Sequence, residues 1–240
     1  MNILLTGSEG FVGSHLFYHL KDEHNVIGFD IKNGQDILQS EFPKDIDLVI
    51  HLGGLSGVRD SLDKPTEYWK TNVIGTQRLF EHYRDTRILY ASSSTAHEPW
   101  KNPYAMSKYS MEQLNHNNSV GMRFTTVYGP GARKHMLIPK ILRNDVQYIN
   151  VNHIRDFIHV NDIVSAVQVM MNVTFRGVID IGTGISNKLV DIADYFKIDY
   201  KSVIGGETER IDNTADTSIL NKFGWRAKIN LYDYIEKTRR

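Results

Sequence analysis

The sequence predicts an α/β protein built on a doubly wound parallel sheet with helices on both faces. Short apolar runs alternate with longer segments of helical periodicity through the first half of the 240-residue chain, a pattern typical of βαβ units. A glycine-rich turn follows the first apolar run, and ligands of such sheets collect at the carboxyl ends of the strands. The expected strands are Ile3–Thr6, Val26–Asp30, Leu48–Leu52, Ile88–Ser92 and Gly121–Thr125.

The expected helices of the first half are Phe11–Lys21, Pro65–Tyr83 and Pro103–Asn117. The second half is less regular and shows no repeat, low-complexity tract or Pro/Ser-rich linker. A second lobe must therefore be built from insertions after the main sheet. The helices expected there are Met136–Arg143, Asn161–Met171, Lys188–Phe196, Asp216–Phe223 and Leu231–Lys237.

Composition argues against several classes of function. Lys+Arg and Asp+Glu are both 28, so the net charge of zero indicates no electrostatic footprint for nucleic acid or an acidic membrane surface. The chain has no cysteine, and no His/Asp/Glu spacing indicates a metal site. No apolar run approaches the length of a membrane-spanning helix, and no signal peptide is evident. We expect a soluble cytoplasmic protein without a metal.

The glycine-rich turn is the segment TGSEGFVG at residues 6–13. Its first two glycines allow the backbone to turn tightly and approach a pyrophosphate, and the third allows the following helix to pack closely against the strand. A glycine-rich turn without a ligand is the alternative. The position after a strand and before a helix favours a dinucleotide and a Rossmann sheet. The expected contacts are Gly7, Gly10, Phe11, Val12 and Gly13.

Asp30 closes the second expected strand. A carboxylate there accepts hydrogen bonds from an adenosine ribose and repels a 2′-phosphate, so NAD is favoured over NADP. Capping of a turn is the alternative role for this side chain. Asp36 and Ile37 are expected to flank the adenine, although the short loop before them would also suit a bare turn.

Tyr104 and Lys108 are spaced i and i+4, and so share one face of the helix expected over Pro103–Asn117. An ammonium beside a phenol is expected to lower the tyrosine pKa from its reference value of about 10, so that the phenolate takes a proton from a sugar hydroxyl. A solvated helix face is the alternative. Ser94 follows a strand and is expected to hydrogen-bond the reacting sugar oxygen, with Thr95 as a substitute if the register differs by one.

Taken together, these motifs resemble the extended short-chain dehydrogenase/reductase family, in its NAD-dependent epimerase/dehydratase group, and within it the UDP-galactose (UDP-glucose) 4-epimerases. Matching segments occur in family order and extend to about residue 185. They are TGSEGFVG at 6–13, Asp30, HLGGLSGV at 51–58, YWKTNVIGT at 68–76, SSS at 92–94, PYAMSK at 103–108, RFTTVYGP at 123–130 and RDFIHVNDIV at 155–164.

The resemblance implies an NAD-dependent epimerase that inverts C4 of a UDP-hexose through a transient 4-keto intermediate. It implies an NAD-binding Rossmann domain at 1–128 with 155–182, and a small, reduced C-terminal substrate lobe at 129–154 with 183–240. It also implies a homodimer formed through the helices at 65–83 and 103–117.

The family's site residues can be carried over to matching positions of this chain. Ser94, Tyr104 and Lys108 are then catalytic, and Lys108 also contacts the nicotinamide ribose. Asn72 supports the site, and Leu52, Gly53 and Gly54 form a wall along the cofactor. Arg155 contacts the substrate diphosphate. Thr126 stands where the family has an Asn that contacts the substrate, and Ser94 and Thr95 are the other substrate contacts.

Two departures from the family pattern bear on the reaction and on recognition of the nucleotide. The Asp-Glu pair that dehydratases carry after the serine run is absent from residues 94–98, which disfavours dehydration. The late R-x-G-D motif is replaced by Gly205-Gly206-Glu207-Thr208. The alternatives left open are a dehydratase, decarboxylase or reductase of nucleotide sugars, and a non-catalytic NAD-binding protein.

Overall fold

The computed structural model describes residues 1–239. The strands are β1 (Asn2–Thr6), β2 (Asn25–Phe29), β3 (Leu48–His51), β4 (Arg87–Ser93), β5 (Ser119–Phe124), β6 (Thr126–Tyr128), β7 (Tyr148–Asn150), β8 (Ile154–Arg155), β9 (Phe157–His159), β10 (Gly177–Ile181), β11 (Asn187–Lys188) and β12 (Lys201–Val203). The α-helices are α1 (Phe11–Leu20), α2 (Val58–Asp63), α3 (Pro65–Tyr68), α4 (Gly75–His82), α5 (Pro103–Gln113), α6 (Leu137–Leu142), α7 (Val160–Asn172), α8 (Leu189–Tyr195), α9 (Ser218–Lys222) and α10 (Leu231–Thr238).

Six strands form one parallel sheet in the order β10-β5-β4-β3-β1-β2. Thr6 at the end of β1 lies between Phe29 of β2 and His51 of β3. The chain leaves β1 towards β2 on one side, whereas β3 and the later strands extend the other side. This reversal opens a crevice at the carboxyl ends of β1 and β3, where ligands of such sheets bind. The predicted doubly wound sheet is confirmed.

Both faces of the sheet are buried, because successive side chains of a strand point to opposite faces. Ile3 and Leu5 of β1 pack in one core with residues of α1 and α7. Leu4, between them in the chain, packs in a second core with residues of α4 and α5. Near-continuous apolar runs are what a parallel sheet covered on both faces requires.

The helix expected over Pro65–Tyr83 contains an unexpected π-helical segment. It begins as α3, continues as a π-helix over Trp69–Ile74 and ends as α4. Propensity does not mark such a segment in advance, and π-helical turns occur often at functional sites. The helix expected over Pro103–Asn117 ends at Gln113, because Leu114 adopts an extended backbone and packs against the core beneath α4.

The sixth strand of the sheet, β10, was not among the expected strands. It pairs with β5 along its whole length and is only five residues long. Its Val-Ile-Asp-Ile pattern is too short to separate a strand from a helical turn by periodicity alone. All five helices expected in the second half are present, as α6 to α10.

A third core lies outside the main sheet. It is formed by Tyr128, Ile138, Ile141, Ile149, Phe157, Leu189, Ile192, Ala193, Leu231 and Ile235. Most of these residues come from short strands and from α6, α8 and α10, which gives the second half of the chain a small core of its own. Within residues 1–239, no helix has the length and apolar character that crossing a bilayer requires.

Candidate active site

A cavity of about 750 Å³ lies at the carboxyl ends of β1, β3, β4 and β5. Its lining comes from the glycine turn at 6–13, from a wall segment at 51–58, from the end of β4, from α5 and from the second lobe. The cavity therefore sits at the point where the strand order reverses, as the topology requires. It brings together most of the site residues expected from the sequence.

The glycine turn is closely packed against its neighbours. Gly7 has a positive φ of 70°, and a Cβ atom there would lie 2.7 Å from the backbone nitrogen of Gly53. A Cβ atom on Gly13 would lie 2.0 Å from the carbonyl oxygen of Gly7. Only glycine fits these positions, because the backbones of the turn, the wall segment and α1 are in contact.

Helix α1 presents its N-terminus to the cavity through Gly10, Phe11, Val12 and Gly13. The N-cap residue Gly10 offers no side-chain hydrogen bond to the first turn, and the first N–H groups of a helix have no acceptor within the helix. These donors and the positive end of the helix dipole suit a pyrophosphate. The residues present therefore fit a dinucleotide.

The Asp30 carboxylate is buried and accepts two backbone hydrogen bonds. One oxygen accepts from the Lys32 amide at 2.9 Å and the other from the Glu9 amide at 3.0 Å. Asp30 therefore caps the turn that follows β2, the alternative role considered above. Each oxygen keeps a further lone pair, so the cap leaves capacity to accept from a ribose.

Asp36 and Ile37 lie beyond that turn and do not line the cavity. Asp36 accepts a hydrogen bond from the Leu38 amide at 2.9 Å, and Ile37 is buried in the core against α4, with Gly75 directly beneath it. Lys32, within that turn, does line the cavity. Its Nζ donates to the carbonyl of Glu9 at 2.7 Å.

Asn72 is fully buried and joins the wall segment to α5. Its Oδ1 accepts from the Leu55 amide at 2.8 Å, while its Nδ2 donates to the Leu55 carbonyl at 3.0 Å and to Ser107 Oγ at 2.9 Å. A Cβ atom on Gly54 would lie 2.8 Å from Asn72 Oδ1. Asn72 therefore supports the site by fixing the wall against the helix that carries Tyr104.

Helix α5 carries Tyr104 and Lys108 on the face that lines the cavity. Asn102 caps its N-terminus by accepting from the Ala105 amide at 2.7 Å, and Pro103 occupies the first turn, as helix starts favour. The Nζ of Lys108 donates to the Ala91 carbonyl at 2.8 Å. Burial lowers the pKa of Lys108 to about 8, and Glu112 acts in the opposite direction.

The expectation of a lowered pKa for Tyr104 is wrong for this structure. Burial raises the pKa of the phenol, and the groups that oppose the rise are the Ser93 hydroxyl and Arg133. Desolvation disfavours the charged form of an acid, and here it outweighs the nearby polar groups. The sequence pattern predicted the pair's position but not the sign of this shift.

Within the serine run, Ser93 rather than Ser94 is the hydroxyl that acts to lower the pKa of the Tyr104 phenol. Ser93 Oγ accepts from Thr95 Oγ1 at 2.9 Å. Ser94 is turned to the second lobe, where its Oγ accepts from Asn213 Nδ2 at 3.4 Å. All three hydroxyl residues line the cavity, so the register of the strand end decides which one faces the tyrosine.

Arg155 lines the far end of the cavity. Its Nη2 donates to His153 Nδ1 at 2.9 Å and lies 3.4 Å from Glu209 Oε2, while Nη1 donates to the Ile211 carbonyl. Burial, the largest influence, lowers the pKa of this guanidinium. Thr126 also lines the cavity, and its Oγ1 accepts from Asn213 at 3.0 Å.

Several lining residues were not expected from the sequence: Arg133, Glu209, Arg210 and Asn213. Three of them belong to residues 205–213, here called the strap, which crosses the turn after β4. Arg210 Nη1 donates to the Ser94 carbonyl at 2.7 Å, and Asn102 Nδ2 donates to the Thr208 carbonyl at 2.8 Å. In the sequence, the four unexpected lining residues are marked only by being polar and lying in loops, where binding residues concentrate.

Comparison with known proteins shows the family of this chain. Residues 3–182 match the family described as NAD dependent epimerase/dehydratase. An uncharacterized protein of Methanocaldococcus jannaschii is 31% identical, over 69% of this chain and 70% of the relative. UDP-glucose 4-epimerase of Yersinia enterocolitica is 26% identical, over 98% of this chain and 96% of the relative. The structure of MoeE5 in complex with UDP-glucose and NAD is 27% identical, with a TM-score of 0.88 over 100% of this chain and 97% of that one.

Proposed function

The chain belongs to the NAD-dependent epimerase/dehydratase family, and from its site geometry we propose that it is a nucleotide-sugar epimerase acting at C4 of a UDP-hexose. The observation that carries the proposal is the position of Tyr104 and Lys108. Both line the same cavity as the glycine turn, so a proton acceptor and a dinucleotide site open onto one space.

NAD is the cofactor of this family, and its bound nicotinamide supplies a reversible hydride acceptor. The glycine turn and the N-terminus of α1 would hold the pyrophosphate, Asp30 the adenosine ribose, and Lys108 the nicotinamide ribose. We propose the remaining cofactor contacts at Gly7, Gly10, Phe11, Val12, Gly13, Leu52, Gly53, Gly54 and Tyr104.

Tyr104 is proposed to take the proton of the sugar C4 hydroxyl. Thr95 Oγ1 donates to Ser93 Oγ, which leaves the Ser93 proton free to be donated to the phenolic oxygen. A hydrogen bond to the charged form of an acid favours that form. Ser93 and Thr95 therefore form a short chain of hydroxyls that stabilises the phenolate, with Lys108 supplying a positive charge nearby.

The substrate is proposed to lie between the turn after β4 and the second lobe. Ser94, Thr95 and Thr126 line the part of the cavity next to Tyr104, and Arg155 is placed for the diphosphate because a guanidinium binds such anions through several donors. MoeE5 is known in complex with UDP-glucose and with UDP-glucuronic acid. We propose residues 129–154 with 183–240 as the substrate lobe, because most residues of the third core belong to these ranges.

The surroundings of Glu98 weigh against dehydration. Its carboxylate lies 3.3 Å from Lys101 Nζ and 3.4 Å from Arg210 Nε, and the side chain does not line the cavity. An acid that eliminates water must reach the sugar and exchange a proton with it. A carboxylate held by two cations outside the cavity does neither.

We propose that the protein forms a homodimer through the helices at 65–83 and 103–117. Trp69, Ile74 and Met106 keep 40–45% of their surface exposed, and Tyr109 keeps 37%. Large apolar side chains clustered on neighbouring helices are typical of a contact surface. Light scattering should give twice the chain mass for the parent and the single mass for Trp69→Glu; a monomeric parent would contradict the proposal.

The reaction is tested by incubating the protein with UDP-glucose, UDP-galactose and their N-acetyl forms, and following the anomeric protons by NMR. One pair should interconvert without net change in NADH absorbance. Tyr104→Phe should lower kcat by roughly 10²- to 10⁴-fold. The matched control is Tyr109→Phe on the same helix. A 4-keto-6-deoxy product, or equal rates for Tyr104→Phe and the control, would overturn the assignment.

A further inference from the structure

Glu112 is a buried carboxylate one turn beyond Lys108 on α5, and the proposed mechanism makes no use of it. Its side chain is 1% exposed. Arg123 of β5 reaches it with two donors, Nε at 2.8 Å and Nη2 at 2.6 Å, and the hydroxyl of Ser92 donates to the same carboxylate. A bidentate pair of this kind fixes the position of the carboxylate.

The same contacts reach the lysine by two routes. Through space, the spacing of i and i+4 puts the Glu112 carboxylate on the helix face of Lys108. Through the backbone, Glu112 holds Ser92, and the residue before it, Ala91, supplies the carbonyl to which Lys108 Nζ donates at 2.8 Å. Glu112 is thus able to act on the charge of the ammonium and on its acceptor.

We propose that Glu112 is a positioning residue that keeps Lys108 charged and in place for the reaction. This inference rests on the proposed function, in which the ammonium stabilises the phenolate of Tyr104. Burial favours the neutral amine. The direction of the two influences on the pKa of Lys108 agrees with the proposal, since burial lowers it and Glu112 raises it.

The other titratable groups around this pair do not supply the missing negative charge. His51 on β3 is neutral, because burial and Lys108 lower its pKa to about 3. Burial raises the pKa of Tyr104 on α5 and of Tyr90 on β4, which disfavours a negative charge on either phenol. Arg123 is itself a cation. Of these groups, Glu112 alone carries a charge that opposes loss of the lysine proton.

The test is the pH dependence of kcat/KM for the parent and for Glu112→Gln, an isosteric change that removes the charge. We expect the alkaline limb to move at least one pH unit towards acid, with a rate at pH 6 within about threefold of the parent. A purely structural role would lower the rate by the same factor at every pH. Glu112→Asp should restore the parent's limb, and Glu81→Gln on the exposed face of α4 is the matched control.

Two measures keep the test decisive. Glu112→Gln leaves the Arg123 guanidinium without its partner, so if that variant does not fold, Glu112→Gln with Arg123→Gln takes its place. The charge of Lys108 is also read directly by NMR titration of protein carrying ¹³C at lysine Cε, assigned with Lys108→Met. Absence of epimerisation in the parent refutes the proposed function, whereas an unmoved Lys108 titration or alkaline limb in the glutamine variant refutes the role of Glu112.

Discussion

His51 is the centre of a buried hydrogen-bond chain, and burial and Lys108 keep its ring neutral by lowering its pKa to about 3. Its Nδ1 lies 2.7 Å from Thr6 Oγ1 and its Nε2 lies 2.9 Å from Thr76 Oγ1. The Thr76 hydroxyl donates to the Asn72 carbonyl, so it must accept from His51 Nε2. Nδ1 is then the acceptor of the Thr6 hydroxyl, which itself accepts from the Gly53 amide at 3.0 Å. The ring is neutral, with its proton on Nε2.

This arrangement couples stability to pH. The pKa of His51 is lowered to about 3, by burial first and by Lys108 second, whereas an unfolded histidine ionises near 6.5. Between these two values the unfolded chain binds more protons than the folded one, so the free energy of unfolding falls as the pH falls. At about 1.4 kcal/mol per pKa unit, the loss between pH 7 and pH 5 is about 2 kcal/mol.

The perturbation is His51→Gln, because glutamine does not titrate and its amide keeps one donor and one acceptor. Urea unfolding at pH 7 and pH 5 gives the free energy of unfolding of each protein. The parent should lose about 2 kcal/mol more than the variant over this interval. His19→Gln, at an exposed position of α1, is the matched control. Neither substitution changes what the buried His153 and His159 contribute to the pH dependence of the free energy of unfolding. An equal pH dependence in the parent and His51→Gln would refute the argument.

Three further predictions concern the site. Ser93→Ala should lower kcat about 10²-fold and Ser94→Ala much less, because Ser93 is the hydroxyl that acts to lower the pKa of Tyr104. Steady-state kinetics on both variants decide this, and the reverse order would contradict it. Gly13→Ala should destabilise the fold by about 1–3 kcal/mol, since its Cβ would lie 2.0 Å from a carbonyl oxygen. Calorimetry should also show weaker NAD binding. An unchanged melting temperature would count against the packing argument. Asp30→Asn should reduce the preference for NAD over NADP by roughly tenfold, as one charge contact of about 1.4 kcal/mol implies. Fluorescence titration gives the two affinities. An unaltered ratio would mean that the carboxylate does not bind the ribose.

The features that the sequence predicted well are those set by local structure. The glycine turn follows β1 directly and opens α1, so its backbone geometry depends on residues within one βα unit. The relation between Tyr104 and Lys108 is likewise set by helix periodicity, once Asn102 and Pro103 start the helix. In both places the chemistry is carried by neighbours in the chain, and a sequence pattern specifies such neighbours.

The features that the sequence did not predict depend on contacts between distant segments. Arg210 lies 116 positions from Ser94, whose carbonyl it binds, and the strap that carries it has no periodicity that announces its path. Which hydroxyl faces Tyr104 depends on where β4 ends and on the 3₁₀ turn that begins at Ser94. A shift of one residue at a strand end exchanges the two faces of the sheet, and that decided between Ser93 and Ser94.

Burial by itself opposes the chemistry proposed for this cavity. It raises the pKa of Tyr104 and lowers that of Lys108, so desolvation favours a neutral phenol beside a lysine that is close to losing its charge. The groups placed around the two side chains act against burial. Ser93 and Arg133 act on the tyrosine, and Glu112 acts on the lysine. The chemistry proposed for the Tyr-x-x-x-Lys pair therefore depends on partners supplied by β4, by α5 and by the loop that carries Arg133. The same pair on a solvated helix would lack both the burial and these partners.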